Sequence, residues 1–140
     1  MHLFDNLDSG NGYKARLLLA QLGLRYDWTD LDLDAGATRK PEFLKRNPNG
    51  RIPTLELDDG TNLAESNAIL WYLAEGSPFV PNDRVGRAQV LQWMFFEQYS
   101  HEPYVATPRY IVRHLPPDSP RRAELRDRCA KGRDALAGMG

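Results

Sequence analysis

The first half of the chain alternates between strand-like and helix-like patterns of apolar residues. Leu3 and Phe4 begin a short strand that runs into a polar, glycine-containing loop at 5–12. A helix is expected after this loop, because apolar residues then recur at the spacing of one helical face and Gly23 follows as a stop. These apolar residues are Ala15, Leu18, Leu19 and Leu22.

A second strand is predicted between positions 24 and 33, where apolar and polar residues alternate. The alternating apolar residues are Leu24, Tyr26, Trp28, Leu31 and Leu33. Their alternation slips by one position near Thr29, which indicates a kink or bulge there. After an acidic, glycine-containing loop, the segment 41–46 is long enough for a short helix with Pro41 in its first turn, and it ends at Asn47-Pro48-Asn49-Gly50.

A hairpin and a third helix complete this first part. Asp59-Gly60 is a strong turn signal, and strand-like segments lie on either side of it at 54–57 and 62–64. Ser66 then opens a helix with few polar faces. The order strand, helix, strand, helix, strand, strand, helix predicts an α/β fold with a mixed sheet.

From position 77 the pattern changes to a linker with two prolines and then to helices. We therefore expect an α/β domain at 1–76, a linker at 77–83 and an all-α region at 84–140. The segment Val90–Phe96 is apolar nearly all round, so a helix there is expected to be covered on more than one side. A later helix at 121–137 is expected to carry one apolar face. That face consists of Leu125, Cys129 and Leu136.

Composition and charge remove several classes of function. Hydrophobic residues make up 41% and charged residues 26% of the 140 positions, which is typical of a folded chain and not of disorder. The formal net charge of -1 offers no basic excess for nucleic acid or an anionic membrane. Cys129 is the single cysteine, which excludes an internal disulfide and any redox or zinc centre built on paired thiols. With no signal-like start and no membrane-spanning run, a cytoplasmic protein is predicted.

Three ordered motifs give the chain a family likeness. They are Ser9-Gly10-Asn11-Gly12-Tyr13-Lys14, then Pro41-Glu42-Phe43-Leu44 with Asn47-Pro48-Asn49-Gly50-Arg51-Ile52-Pro53-Thr54-Leu55, then Leu63-Ala64-Glu65-Ser66-Asn67-Ala68-Ile69-Leu70. In this order and spacing the chain resembles the glutathione S-transferase superfamily, in its bacterial type with Ser and Asn in the first-helix loop. The resemblance extends to about Tyr110. It implies a thioredoxin-like βαβαββα domain with a cis-proline, followed by an all-α domain that is incomplete here.

By this resemblance, Ser9 and Asn11 are the candidate catalytic residues, which hold the glutathione sulfur as a thiolate. Moving a thiol pKa of about 8.5 to the working pH requires about 2 kcal/mol. A helix N-terminus supplies about 0.3–1 kcal/mol, up to about 2 when partly buried, and one hydrogen bond to a charged acceptor supplies about 1.5–3 kcal/mol. These contributions suffice without a metal or a general base. The residues themselves leave open that Ser9 or Asn11 only caps the helix.

The resemblance places the remainder of glutathione on two other segments. Glu65 and Ser66 start the third helix, where free N–H groups and the Ser66 hydroxyl suit the γ-glutamyl carboxylate and Glu65 suits its ammonium group. The alternative is a capping serine preceded by an acid. An X-Pro bond is usually trans, whereas the resemblance implies a cis Ile52-Pro53 bond that presents the Ile52 backbone to the ligand. Arg51 is matched to the glycyl carboxylate, with an exposed, unpartnered arginine as the alternative.

Aromatic residues of the second part are matched, by the same resemblance, to the pocket of a hydrophobic co-substrate. They are Trp93, Phe96, Tyr99 and Tyr104. Aromatics at helical spacing are also typical of plain core packing. His101 is given no catalytic role.

Three functions remain open. The leading expectation is a glutathione transferase that conjugates the glutathione thiolate to a small hydrophobic electrophile, as in detoxification, with glutathione as co-substrate and no metal. A glutathione-dependent disulfide reductase is the alternative, since members with this kind of loop include such enzymes. The third is a non-catalytic binding module of the same fold. An apolar helix with part of its bundle missing predicts an exposed apolar patch, and hence a homodimer.

Overall fold

The computed structural model describes residues 1–139, which divide into two compact units. The first unit spans Met1–Pro81 and the second begins at Asn82. The elements of the first unit are β1 (His2–Asp5), α1 (Gly10–Gln21), β2 (Asp27–Asp30), a 3₁₀ turn (Ala37–Arg39), α2 (Pro41–Leu44), β3 (Thr54–Glu56), β4 (Asn62–Ala64) and α3 (Ser66–Ala74). The predicted βαβαββα order is confirmed.

The four strands form one mixed sheet in the order β2-β1-β3-β4. β1 is parallel to β2 and antiparallel to β3, which is antiparallel to β4. In this register Leu3 lies opposite Leu55, and Leu55 lies opposite Leu63. Because side chains alternate between the two faces of a sheet, these residues form an apolar row on one face. The buried cluster on this face comprises Leu3, Ala15, Leu18, Leu19, Leu55, Ile69, Leu73, Ala74 and Val80.

The predicted hairpin between β3 and β4 is confirmed. The Leu57 N–H donates to the Thr61 carbonyl at 2.8 Å, and Gly60 adopts a φ of 84° that residues with a Cβ rarely adopt. The Asp59 carboxylate accepts the Thr61 N–H at 2.9 Å, and this hydrogen bond lowers the pKa of Asp59. The turn is therefore closed by both backbone and side-chain hydrogen bonds.

The second strand is much shorter than the alternation at 24–33 predicted. β2 covers only Asp27–Asp30, and Leu24, Trp28 and Leu33 are exposed. The strand lies at the edge of the sheet, so only β1 pairs with it. After the Leu31 N–H donates to the Asp5 carbonyl at 2.7 Å, the Asp32 carboxylate accepts the Ala35 N–H at 2.9 Å and the chain turns away.

The second unit is helical. Its elements are α4 (Arg84–Phe96), a π-helical segment (Glu97–Ala106), α5 (Thr107–His114), a 3₁₀ turn (Pro120–Glu124) and α6 (Leu125–Ala137). The expectation that α4 is covered on more than one side is wrong: none of its residues is buried, and Val85, Trp93 and Phe95 are 67%, 48% and 69% exposed. The expected exposure of apolar side chains in this unit is thus found on α4, and a contiguous patch stays a prediction. The buried side chains of this unit lie instead on α5 and α6, where Ile111 is fully buried.

The apolar face predicted for α6 is also wrong. Cys129 is exposed and Leu136 is half-exposed, whereas Gly132 and Ala135 are buried. A Cβ at position 132 would overlap the carbonyl of Tyr104, so α6 approaches the backbone of the π-helical segment through its glycine. Close backbone approach thus decides which face is buried, and the apolar pattern does not record it.

Candidate functional site

Three loops of the first unit meet at one end of the sheet. Phe4 lies opposite Thr54 and Thr54 lies opposite Ala64. The residues that follow β1, precede β3 and follow β4 therefore share this end. They are the loop 6–9 with the start of α1, the segment 51–53, and Glu65 with Ser66. The first-unit residues that the sequence analysis matched to glutathione are the ones that the topology gathers here.

Ser9 is the N-cap of α1. Its Oγ accepts the Gly12 N–H at 3.1 Å, and its own N–H donates to the Asn6 carbonyl at 3.0 Å. Ser9 therefore caps α1, and its role toward a ligand stays a prediction. A hydroxyl that accepts one hydrogen bond still has a proton to donate. Capping the helix and donating to a ligand are thus compatible roles for Ser9.

Asn11 and Ser66 connect the first turns of α1 and α3. The Ser66 hydroxyl donates to Asn11 Oδ1 at 3.3 Å, and Ser66 is buried. A second connection runs from Lys14 Nζ to Asn67 Oδ1 at 3.2 Å. Because the Asn11 oxygen is the acceptor, its amide nitrogen keeps its donors. The two helix N-termini are therefore held side by side, with donors from both.

Glu65 stands immediately before α3 in an unusual conformation. Its φ of 67° lies in a region where a residue with a Cβ costs about 1–3 kcal/mol, and such strain concentrates at functional sites. Its side chain is exposed and, among residues 1–139, forms no ion pair. The first N–H groups of α3 have no partner within the helix. A carboxylate and a helix N-terminus thus lie next to each other.

The Ile52-Pro53 bond is cis, as the resemblance implied. The segment before it is held by Asn47, which is buried and whose role the sequence analysis missed. Asn47 Nδ2 donates to the Arg51 carbonyl at 2.8 Å and to Thr54 Oγ1 at 3.2 Å. The Arg51 side chain is exposed and makes no ion pair with any described residue. A buried amide therefore positions the loop and leaves the arginine available.

Asp5 and Arg16 form an ion pair that the sequence analysis also missed. Asp5 ends β1 and is fully buried, and Arg16 of α1 is largely buried against it. A Cβ at Gly12 would overlap the Asp5 carboxylate. Gly12 and Arg16 lie one turn apart on α1, but this spacing alone does not single out an ion pair with the end of β1.

The aromatic residues matched to a co-substrate pocket lie in the second unit, on α4 and the π-helical segment. Trp93 and Phe96 pack edge to face with ring centroids 5.4 Å apart. Tyr99 is 82% exposed, and the Tyr104 ring has Lys131 Nζ 5.6 Å from its centroid. Tyr104 therefore packs against α6, and the pocket role of all four stays a prediction.

Residues 1–139 contain no group of three or more His, Cys, Asp and Glu side chains arranged to hold a metal ion. In the same residues, every helix is too short or too polar to cross a bilayer.

Comparison with known proteins identifies the family. The model for the N-terminal domain of glutathione S-transferase matches residues 1–75. The chain belongs to the glutathione S-transferase family. A crystal structure of a glutathione S-transferase from Pseudomonas fluorescens is 50% identical, superposes with a TM-score of 0.92, and is covered over 69% of its length by 99% of this chain.

Of two other relatives, one is named a transcriptional regulator and the other a glutathione transferase. The transcriptional regulator URE2 of Saccharomyces cerevisiae is 34% identical over 74% of this chain and 32% of its own length. The chain thus spans about a third of the curated relatives it matches. The glutathione transferase URE2P6 from Phanerochaete chrysosporium, solved in complex with oxidized glutathione, is 29% identical with a TM-score of 0.84 over 99% of this chain and 65% of that one.

Proposed function

We propose that the chain binds glutathione at the loop end of its first-unit sheet and conjugates the glutathione thiolate to a small hydrophobic electrophile. The observation that carries this proposal is the hydrogen bond between Ser66 and Asn11, which holds the starts of α1 and α3 side by side. The cis Ile52-Pro53 segment lies at the same end of the sheet.

The two ends of the tripeptide have chemically suitable partners. The γ-glutamyl carboxylate accepts hydrogen bonds from the Ser66 hydroxyl, in place of Asn11 Oδ1, and from the first N–H groups of α3. Glu65 pairs with the ammonium group. The Ile52 N–H and carbonyl form no hydrogen bond with any described residue, so they are open to pairing with the peptide backbone. Arg51 faces the glycyl carboxylate.

The sulfur lies beside the first turn of α1 in this proposal. The Ser9 hydroxyl and the Asn11 amide both have donors to offer, and the N-terminus of α1 adds its positive potential. Donors fixed before the reaction stabilise the thiolate without reorganisation. The pair therefore lowers the thiol pKa of bound glutathione with no metal involved.

Glutathione binding is the first test. At saturating glutathione, the melting temperature of the first unit should rise, since a ligand that binds only the folded state stabilises it. Ser9→Ala and Asn11→Ala should then lower kcat/KM for conjugation by about 10–100-fold. Ser77→Ala and Asn62→Ala are matched controls, because each removes a hydrogen-bonding group of the same type elsewhere in the unit. Equal loss in variants and controls would contradict the assignment.

A disulfide reductase is the second candidate. Asn11 in the first-helix loop and the solved relative that holds oxidized glutathione support it. The two activities separate by rate: a reductase turns over a glutathione-linked disulfide faster than it conjugates an aromatic electrophile. Asn11→Ala should then affect reduction more strongly than conjugation.

A non-catalytic module is the third candidate, supported by the relative named as a transcriptional regulator. It predicts no turnover in either assay, with or without a glutathione-dependent rise in melting temperature. No rise at all would remove both enzyme candidates and leave this one.

A further inference from the structure

The turn that precedes Ser9 is tied to a buried ion pair below it. Arg16 Nη1 donates to the Asn6 carbonyl at 3.2 Å, and Arg16 Nη2 donates to the Leu7 carbonyl at 3.1 Å. The same guanidinium pairs with the carboxylate of Asp5. The Asn6 carbonyl also accepts the N–H of Ser9 at 3.0 Å. Arg16 and Ser9 therefore share one acceptor.

The rest of the turn is anchored on the last residue of β2 and on the residue that follows it. The Leu7 N–H donates to the Asp30 carboxylate at 3.1 Å, and Asn6 Nδ2 donates to the Leu31 carbonyl at 3.0 Å. These contacts hold the outer side of the turn, whereas Arg16 holds the side that faces α1. Without the guanidinium, the Asn6 and Leu7 carbonyls lose the donors that point from the helix.

The Asp5 carboxylate also lies close to the start of α1. It lies against Gly12, whose N–H donates to Ser9 Oγ. Asp5 Oδ1 is buried and has no hydrogen-bond partner among residues 1–139. The negative charge of Asp5 and the positive charge of Arg16 thus lie against groups that are hydrogen-bonded to Ser9, the candidate thiolate donor. Their effects on an anion above α1 oppose each other.

We propose that Asp5 and Arg16 are positioning residues for the glutathione chemistry: the pair fixes the turn that carries Ser9 and balances the charge beneath the thiolate. This inference rests on the proposed glutathione site. It assigns a function to a buried ion pair, a type of contact that often contributes little net stability.

Removing the charge of Asp5 and removing that of Arg16 should shift the thiol pKa of bound glutathione in opposite directions. Asp5→Asn leaves the Arg16 charge uncompensated and should lower the thiol pKa of bound glutathione by about one unit. Arg16→Met leaves the Asp5 charge uncompensated and should raise it by about one unit. The other charged groups around the turn are unchanged in both variants. They are Asp8 in the turn, Asp30 on β2, Lys14 on α1 and Glu65 before α3.

The positioning part is tested by Arg16→Lys. Lysine keeps the charge but has no planar fork to reach two carbonyls. We expect an unchanged thiol pKa together with a several-fold lower kcat/KM for glutathione. This variant also carries the test if Arg16→Met does not fold, as judged by circular dichroism. A kcat/KM equal to wild type would overturn the positioning role.

The experiment records the ultraviolet absorbance of the glutathione thiolate against pH in the full chain, with conjugation rates in parallel. Arg46→Met and Glu56→Gln are the controls, because this pair, at 2.9 Å, lies elsewhere in the same unit and should leave the thiol pKa in place. Opposite shifts for Asp5→Asn and Arg16→Met support the proposal. Shifts of the same sign, or none, overturn it. A wild-type chain with no thiolate signal overturns the glutathione site itself and this inference with it.

Discussion

The two units bury their apolar residues in different ways. In the first unit, Leu3, Leu19, Leu55 and Ile69 are fully buried beneath helices and sheet. In the second unit, Ile111 is the one large apolar side chain that is fully buried among residues 1–139. The first unit therefore has a closed hydrophobic core. The second unit has few fully buried side chains, so its packing depends more on backbone contacts such as that of Gly132 with the Tyr104 carbonyl.

The two units also differ in the burial of their polar side chains. The buried polar side chains all belong to the first unit, as far as residues 1–139 are concerned, and those of Asn47 and Ser66 hold its loops. The second unit uses exposed ion pairs, such as that of Lys131 with Asp127 at 2.8 Å. Exposed pairs contribute little, because water competes for both charges. The candidate glutathione site thus lies on the more firmly determined unit.

The largest effect is expected from Ile69→Ala. Ile69 is fully buried on α3, so the change leaves a cavity and should lower the free energy of unfolding of the first unit by about 2–5 kcal/mol. Urea unfolding followed by fluorescence of Trp28 and Trp71, in a Trp93→Phe background, measures this unit. Leu17→Ala, on α1 of the same unit at a position 42% exposed, is the control and should cost much less. Equal losses would contradict a closed core around Ile69.

An intermediate effect is expected from Gly132→Ala in the second unit. The added Cβ overlaps the Tyr104 carbonyl, so α6 must move from the π-helical segment at a cost of about 1–3 kcal/mol. Alanine has the higher helix propensity by about 1 kcal/mol, which offsets part of this cost. Gly138→Ala is the matched control, because its Cβ would meet only ordinary contacts. The readout is the loss of helical circular dichroism on heating. A Gly132→Ala variant as stable as its control would show that the close approach is dispensable.

A smaller effect on folding, but a visible one on association, is expected from Phe95→Ser. Phe95 is 69% exposed beside the edge-to-face pair of Trp93 and Phe96. If this patch mediates the predicted homodimer, the variant should remain monomeric at concentrations where wild type associates. Sedimentation velocity over a concentration series measures this. Val112→Ser, also exposed and on α5, is the control. A wild-type chain that is monomeric throughout would leave the patch without this role.

The first unit was predictable from sequence because its local signals agree with its packing. Turn residues such as Gly60 and the helical spacing of Ala15, Leu18, Leu19 and Leu22 indicate elements that the core then requires. β2 was overestimated, because the alternation does not reveal that Asp32 captures a backbone N–H and ends the strand. In the second unit, the apolar pattern of α6 misled, since the contact through Gly132 is made by the backbone.

The candidate site likewise contains residues that the sequence identified and residues that it did not. Ser9, Asn11, Glu65 and Ser66 were nominated by motif, and the topology brings them to one end of the sheet. Asn47, whose side chain makes three hydrogen bonds, was not given a role, because its partners lie along a loop whose path only the fold defines. Pairs such as Asp5 with Arg16 are equally hidden, since complementary charges are common in sequence and become informative only when they are buried together.

The smallest effect is expected from Glu124→Gln, and it is one of pH. Hydrogen bonds from Arg121 at 3.1 Å and Arg128 at 2.7 Å hold the pKa of Glu124 below its usual range. A lowered pKa in the folded state means that stabilisation is present above the unfolded value of about 4.3 and is lost as pH falls through the folded value. Wild type should therefore melt slightly above the variant at neutral pH, and this difference should vanish in acid. Asp118→Asn, which removes one negative charge from the same unit at an exposed position, should show no such convergence. Because Arg128 also donates to the Pro103 carbonyl at 2.8 Å, a difference that persists in acid would mean that the glutamine disturbs this contact and that the carboxylate charge is not the cause.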